Sequence, residues 1–259
     1  MSVEYAFDGE VALITLNRPD TYNAIEASLS TELQEALGRA GSESRAAILT
    51  GAGKAFCSGA DLNHLLADYQ AGEGPDLGGL LEDVFHPALQ AMLDCRVPVV
   101  GAINGVAAGA GLGLALACDL RVMSEDAFLT SAFTAIGLVP DSGTTWWLPH
   151  NLGVSRALEI ALTNRRVGAR ESLDLGLCLD VVPARSLLER ASEVAADLAD
   201  LVPDSLVTTR RLIREASGSS LDRAMQAEQR EQGRLGKTPD HREGVMAFME
   251  KRKPDFRSR

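Results

Sequence analysis

The stretch 98–141 leaves a chain of 259 residues few ways to fold. Val97, Val99, Val100 and Ile103 form a β-branched apolar run that predicts a buried strand. Asn104-Gly105, a turn dipeptide, breaks it. Gly109, Gly111 and Gly113 then lead into 114–118, which is helical in character. A glycine-rich strand-to-helix turn leaves free backbone N–H groups at the positive end of a helix, suited to an anion or an oxyanion. The same device occurs earlier. An apolar strand over 46–50 runs into a glycine-punctuated loop carrying Lys54, Ser58, Gly59, Ala60 and Asp61, and a helix is expected from Leu62. Two such loops facing each other would supply N–H donors from distant parts of the chain. Asp141, after Pro140 in an apolar stretch, adds one carboxylate.

The remaining chain alternates strands and helices until residue 183. Asp8-Gly9 between two apolar runs predicts a hairpin. Residues 17–23 read as a loop, and Ser28 as the N-cap of a helix with Leu29, Leu33 and Leu37 on one face. A low-complexity loop is expected over 71–79, then a helix over 80–95. Further helices are expected over 148–162 and 170–175, and a strand over 178–182. Beyond Pro183 only amphipathic helices remain, divided by Pro203, Gly218 and Pro239. This shift suggests a core over 1–198 and a helical region over 199–259. No repeat of 20–50 residues is evident.

Composition narrows the function. With 46% hydrophobic and 24% charged residues the chain resembles an ordinary soluble protein. A net charge of -11 argues against a nucleic-acid partner, which needs a basic face. Charges or glycines interrupt every apolar run before it reaches membrane-spanning length. No basic-then-apolar leader opens the chain, and the final Arg-Ser-Arg is not a peroxisomal tripeptide. Cys57, Cys95, Cys118 and Cys178 are widely spaced, as reduced thiols of a cytoplasmic protein would be, and no metal-ligand spacing is present.

Five segments in order resemble the crotonase superfamily, the enoyl-CoA hydratase/isomerase group. They are Asn17-Arg-Pro19 with Asn23-Ala24; the run from Gly53 through Ala60-Asp61-Leu62; Asn104-Gly105 through Gly109-Ala110-Gly111 with Cys118-Asp119; Ile136 through Asp141-Ser-Gly143; and Phe248 through Lys251 to Phe256. The resemblance implies an α/β spiral of ββα turns, a C-terminal helical trimerisation region, and an acyl-CoA thioester substrate with no separate cofactor. A homotrimer or hexamer follows, with no nucleic-acid or membrane partner. Carried over position by position, the N–H groups of Ala60 and Ala110 would form an oxyanion hole for a thioester enolate. Losing one such donor typically costs ~100- to 1000-fold in rate, roughly 3–4 kcal/mol. Ala24, Ser58, Asp61, Leu62 and Phe133 would line the substrate site. Lys54 and Lys251 would approach the CoA phosphates.

The departures from the family pattern are informative. Hydratases of this family use two glutamates; the matching positions hold Gly113 and Phe133, neither of which moves a proton. The carboxylate is Asp141, where a subset of enoyl-CoA isomerases carries its single acid. The run 131–143 most resembles the phenylacetate-pathway branch, which isomerises an epoxide-bearing acyl-CoA to an oxepin and shifts double bonds. One carboxylate suffices for a 1,3-proton shift, provided that burial by Phe133, Trp146 and Trp147 strengthens a weak base. A dehalogenase-like branch would use Asp141 as nucleophile, but its tryptophan and histidine fall at Phe133 and Gln90. A non-catalytic acyl-CoA binder is the remaining alternative.

Blander readings stand beside these. An aspartate after proline is ordinarily a turn residue. A dinucleotide loop would need GxGxxG, whereas Gly109, Gly111 and Gly113 are spaced GxGxG. Cys57 reads as a packed thiol, and His64 and His86 as surface or structural residues.

Overall fold

The computed structural model describes residues 1–62, 66, 69–70, 72 and 74–257. Strands β1 (Val3–Phe7) and β2 (Val11–Leu16) form the expected hairpin, and Asp8 fixes its turn by accepting the N–H groups of Glu10 and Val11. Helix α1 (Ala27–Glu43) buries Leu29, Leu33 and Leu37 as the spacing predicts. It starts one residue before Ser28, with Glu26 at the cap. The Ser28 hydroxyl donates to the Glu26 carboxylate instead of accepting a backbone N–H, so the expected cap is not made.

The next three passes of the chain follow one plan. A strand enters a large sheet, a three-residue strand enters a smaller one, and a helix returns. These passes are β3 (Ala46–Gly51) with β4 (Ala55–Cys57), β5 (Val99–Ile103) with β6 (Val106–Ala108), and β7 (Leu120–Ser124) with β8 (Phe128–Thr130). The large sheet has the order β1-β2-β3-β5-β7-β10, parallel from β2 onward, with β10 spanning Asp180–Val182. The small sheet runs β4-β6-β8-β9, where β9 is Val167–Gly168. Stacking such passes produces the α/β spiral of ββα turns.

The returning helices are α2 (residues 77–94), α3 (Ala110–Ala117) and α4 (Thr144–Leu152). Helix α2 begins at Leu77, three residues before the expected start, because the Asp76 carboxylate accepts the Gly79 N–H and caps it. Leu81–Phe85 forms a π-helical turn before the α-helix resumes over His86–Asp94. The helix expected over 148–162 is two helices, α4 and α5 (Val154–Thr163), separated at Gly153, whose φ of 72° is left-handed. After the short α6 (Ala169–Asp174), α7 (Leu187–Ala199) packs on the outer face of the large sheet and buries Ala191, Val194 and Ala195 against Val100 and Val122. Helices α8 (Pro203–Ala216), α9 (Leu221–Leu235) and α10 (Pro239–Glu250) complete the helical C-terminal region. The main core lies between the sheets and α1, α2 and α3. Among the described residues no helix is long and apolar enough to cross a membrane.

Candidate active site

Two backbone loops meet where the strands of the small sheet end. The turn between β3 and β4 is pinned from below by Asn23, which is fully buried. Its amide donates to the carbonyls of Ala52 and Ala55, and its Oδ1 accepts the Arg18 N–H. From the next pass, Asn104 donates to the carbonyls of Gly53 and Ala55 and accepts the Gly51 N–H. Beyond β4 the chain forms a parallel bridge between Ile25 and Ala60: the Ile25 N–H bonds Gly59 O at 2.7 Å and the Asp61 N–H bonds Ile25 O at 3.2 Å. In extended backbone successive groups point to opposite sides. Ala60 therefore turns its N–H away from Ile25, and no acceptor meets it among the described residues.

Ala110 stands opposite as the first residue of α3, a position whose N–H has no partner within its helix. Gly59 and Gly109 bring the two loops to backbone contact. Both have left-handed φ, 98° and 55°, and a Cβ on Gly59 would lie 2.9 Å from Ala108 O and 3.3 Å from Ala110 N. No larger residue fits at Gly59 without separating the loops. Phe133, buried, closes the far side, with its ring edge 3.7 Å from where a Gly109 Cβ would stand.

The other expected site residues divide into two groups. Ala24 is buried and its carbonyl accepts Arg18 Nη1 at 2.7 Å. Asp61 is buried and paired with Arg18 Nη2 at 2.9 Å. Ser58 donates to Thr21 O. These residues form the floor beneath Ala60. Lys54, just before β4, and Leu62, beyond the loop that follows it, are exposed. Lys251 is exposed at the C-cap of α10, and no described contact joins it to this cleft. His64 and most of the helix expected from Leu62 lie outside the described residues. Arg18 was legible only as part of a motif; its reach to Ala24, Glu26 and Asp61 makes it the tie that holds the floor.

Asp141 lies half-buried in the turn before α4, and its carbonyl accepts the Thr144 N–H at 2.8 Å. Burial pushes its carboxyl above the ordinary aspartate range. The Ser142 hydroxyl, donating to Oδ1 at 2.8 Å, and the charge of His86 act in the opposite direction. Ser142 adopts a left-handed φ of 49° and is buried, so the turn is held by packing. It packs on α3: a Cβ on Gly113 would lie 2.4 Å from Ser142 O. The space beside Gly113, where the resemblance expects a first glutamate, is therefore filled by the turn that carries Asp141.

One expectation changes. Trp146 and Trp147 were expected to line the pocket, but they line a cavity between α4 and α8, together with Pro98, Arg210 and Ile213. Trp146 stacks on His150 with ring centres 4.0 Å apart, and the Arg214 guanidinium lies 5.3 Å from the Trp147 ring. Trp147 reaches the Asp141 turn only from behind, at Gly143. Gln90, where the dehalogenase-like histidine is missing, donates to Asp94, and the imidazole whose charge acts on the Asp141 carboxyl is His86, one helical turn earlier. Cys57, beside the first loop, is buried and its thiol is pushed up to about 12, which makes it an inert packed thiol.

The model of the enoyl-CoA hydratase/isomerase family matches residues 6–259. The chain belongs to the enoyl-CoA hydratase/isomerase family. It is an enzyme of that family, whose members act on acyl-CoA thioesters and are typically oligomeric. Among curated relatives it is 41% identical to a probable enoyl-CoA hydratase of Rhodobacter capsulatus, over 100% of this chain and 98% of that one. It is 36% identical to the 1,2-epoxyphenylacetyl-CoA isomerase of Escherichia coli, over 95% and 94%. Among solved structures, an enoyl-CoA hydratase from Polaromonas superposes with a TM-score of 0.92 at 32% identity, covering 98% of this chain and 99% of that one. Relatives of this enoyl-CoA hydratase/isomerase family member thus carry both names, and the catalytic side chains must separate them.

Proposed function

We propose that this enzyme is an enoyl-CoA isomerase working through a thioester enolate. The observation that carries the reading is the pairing of Asp141 with Gly113: the half-buried carboxyl and the filled space beside Gly113 belong to one packed turn. In this reading Ala60 and Ala110 donate their N–H groups to the thioester oxygen. Asp141 takes a proton from the carbon beside the thioester, leaving a dienolate, and returns a proton two carbons further along. The raised carboxyl is a better base than a free aspartate, as the step requires. The substrate is a 3-enoyl-CoA or a ring-derived acyl-CoA, and identity to an epoxyphenylacetyl-CoA isomerase supports the latter. No cofactor beyond the CoA of the substrate takes part, and Lys54 and Lys251 contact its phosphates. The protein works in the cytoplasm as a homotrimer or hexamer assembled through residues 199–259.

The test is incubation with a 3-enoyl-CoA, following conjugation by ultraviolet absorbance, with Asp141→Asn alongside. Turnover in the wild type and a loss of about 100- to 10,000-fold in the variant are expected. Full turnover by Asp141→Asn would end the single-base mechanism.

His86 favours one second reading, a dehalogenase-like one: Asp141 attacks the halogen-bearing ring carbon of a haloaryl-CoA, halide leaves, and the imidazole activates a water that cleaves the resulting aryl ester at the Asp141 acyl carbon, releasing the hydroxyaryl product. A single turnover in 18O-labelled water separates the two, because label left in Asp141 marks it as nucleophile.

A further inference from the structure

His86 has no task in the single-base chemistry, yet the fold directs it to Asp141. The π-helical turn Leu81–Phe85 ends with the His86 N–H bonded to Leu81 O, five residues back. A π turn carries an extra residue, so every side chain after it is rotated by roughly 100° relative to an unbroken α-helix. Leu89, three residues on and on the same helix face, has its Cδ2 3.5 Å from where a Gly143 Cβ would stand. The face that carries His86 is thus the face packed on the Asp141 turn. His86 is exposed while Asp141 is half-buried, so of the two groups the imidazole is the one open to bulk water. The Ser142 hydroxyl occupies Oδ1, and no described donor occupies Oδ2.

The other elements around the turn offer no competitor among the described residues. Gly113 of α3 and Phe133 carry no proton, Trp147 of α4 meets the turn at Gly143, and His150 is stacked on Trp146. Gln90, on the same face of α2, is bonded to Asp94.

We propose that His86 is the solvent-side proton carrier of Asp141. The inference rests on the isomerase reading. After Asp141 has taken the α-proton, the imidazole, directly or through one water, accepts that proton from Oδ2 and releases it to bulk. The reverse transfer reloads Asp141 with a solvent proton. No electrons move, and one proton leaves for each that enters. His86 therefore sets how much of the migrating hydrogen is exchanged before it reaches the γ-carbon.

The experiment is isomerisation of a 3-enoyl-CoA deuterated at its α-carbon, in ordinary water, with the label at the γ-carbon read by mass spectrometry. His86→Gln should at least double the label retained per turnover, whatever its effect on rate. His86→Ala should do the same, and added imidazole should return it toward the wild-type value. Unchanged retention in both variants overturns the assignment. If the wild type converts no 3-enoyl-CoA, the isomerase reading falls separately. The assignment is then decided on a saturated acyl-CoA, where His86→Gln must slow solvent-deuterium uptake at the α-carbon severalfold for it to stand.

Discussion

Gly113 is the residue on which the hydratase and isomerase readings part most sharply. A glutamate there would need a Cβ 2.4 Å from Ser142 O, so the turn bearing Asp141 would have to move. Gly113→Glu is expected to destabilise the protein by about 1–3 kcal/mol through overpacking. It should also abolish isomerisation without creating water addition. A lowered melting temperature together with assays in both directions checks this; hydration by the variant would refute the packing argument. Asp141 makes a second prediction. Its carboxyl is raised in the folded protein, so ionising it costs folded-state stability. Asp141→Asn mimics the protonated group and should melt higher than wild type at neutral pH. The advantage should be absent below the ordinary aspartate value of about 3.9 and grow as pH rises through the raised one. Thermal melts from pH 3 to 8 test the sign; an advantage that grows on acidification contradicts it. The two glycine-rich loops and the isolated carboxylate of Asp141 stand out in the sequence, whereas Ala60 and Ala110 were singled out within those loops only by the family resemblance. Ser142 and His86 were not legible, since a serine in a turn and a histidine in a helix carry no signal until the chain is folded.

At the scale of elements, the long strands were readable and the short ones were not. β2, β3 and β5 show apolar runs, whereas β4, β6 and β8 have three residues each, too few to display a period of two. β4 and β6 were absorbed into the glycine-rich loops and β8 gave no signal, so the small sheet that carries the two loops went unseen. The π turn in α2 is likewise invisible, because it changes one hydrogen-bond register and no residue pattern. The docking of α8 was hidden for a different reason: it depends on charges brought together over a long distance. Asp119 accepts Arg210 Nη1 and Arg214 Nη2, each at 3.0 Å, and also the Val99 N–H, while Arg210 caps the carbonyls of Leu93, Cys95 and Val97. The Arg210 and Asp119 side chains are only 9% and 15% exposed, so removing one partner leaves charge stranded out of water. Asp119→Ala is expected to cost about 3–5 kcal/mol. Urea unfolding measures it, and a cost below about 1 kcal/mol would mean that the cluster behaves as a surface pair.

For the whole molecule, the alternation of strands and helices followed by helices alone was read correctly. What that pattern could not convey is how the C-terminal segment returns to the N-terminal hairpin. Arg257 bonds Glu10 and Asp200, Lys253 bonds Asp200, and Arg252 bonds Glu243 and Glu250. On α10, Phe248 and Met249 remain 82% and 72% exposed in the single chain. A homotrimer would give these large apolar groups a partner. Light scattering on the purified protein is expected to return three or six chain masses; a single-chain mass would rule out the proposed assembly.

Arg45 ties this arrangement to the order in which the chain is made. Its guanidinium donates to the carbonyls of Ala199, Leu201 and Phe256, the last of them 211 residues downstream. During synthesis the early spiral must therefore wait, with this cation lacking its acceptors, until the final segment has left the ribosome. Contacts of such sequence separation form late and slowly. A nascent chain stalled before residue 199 thus presents the large sheet without α7 over its outer face, and at that stage the protein depends most on the cell's holding factors.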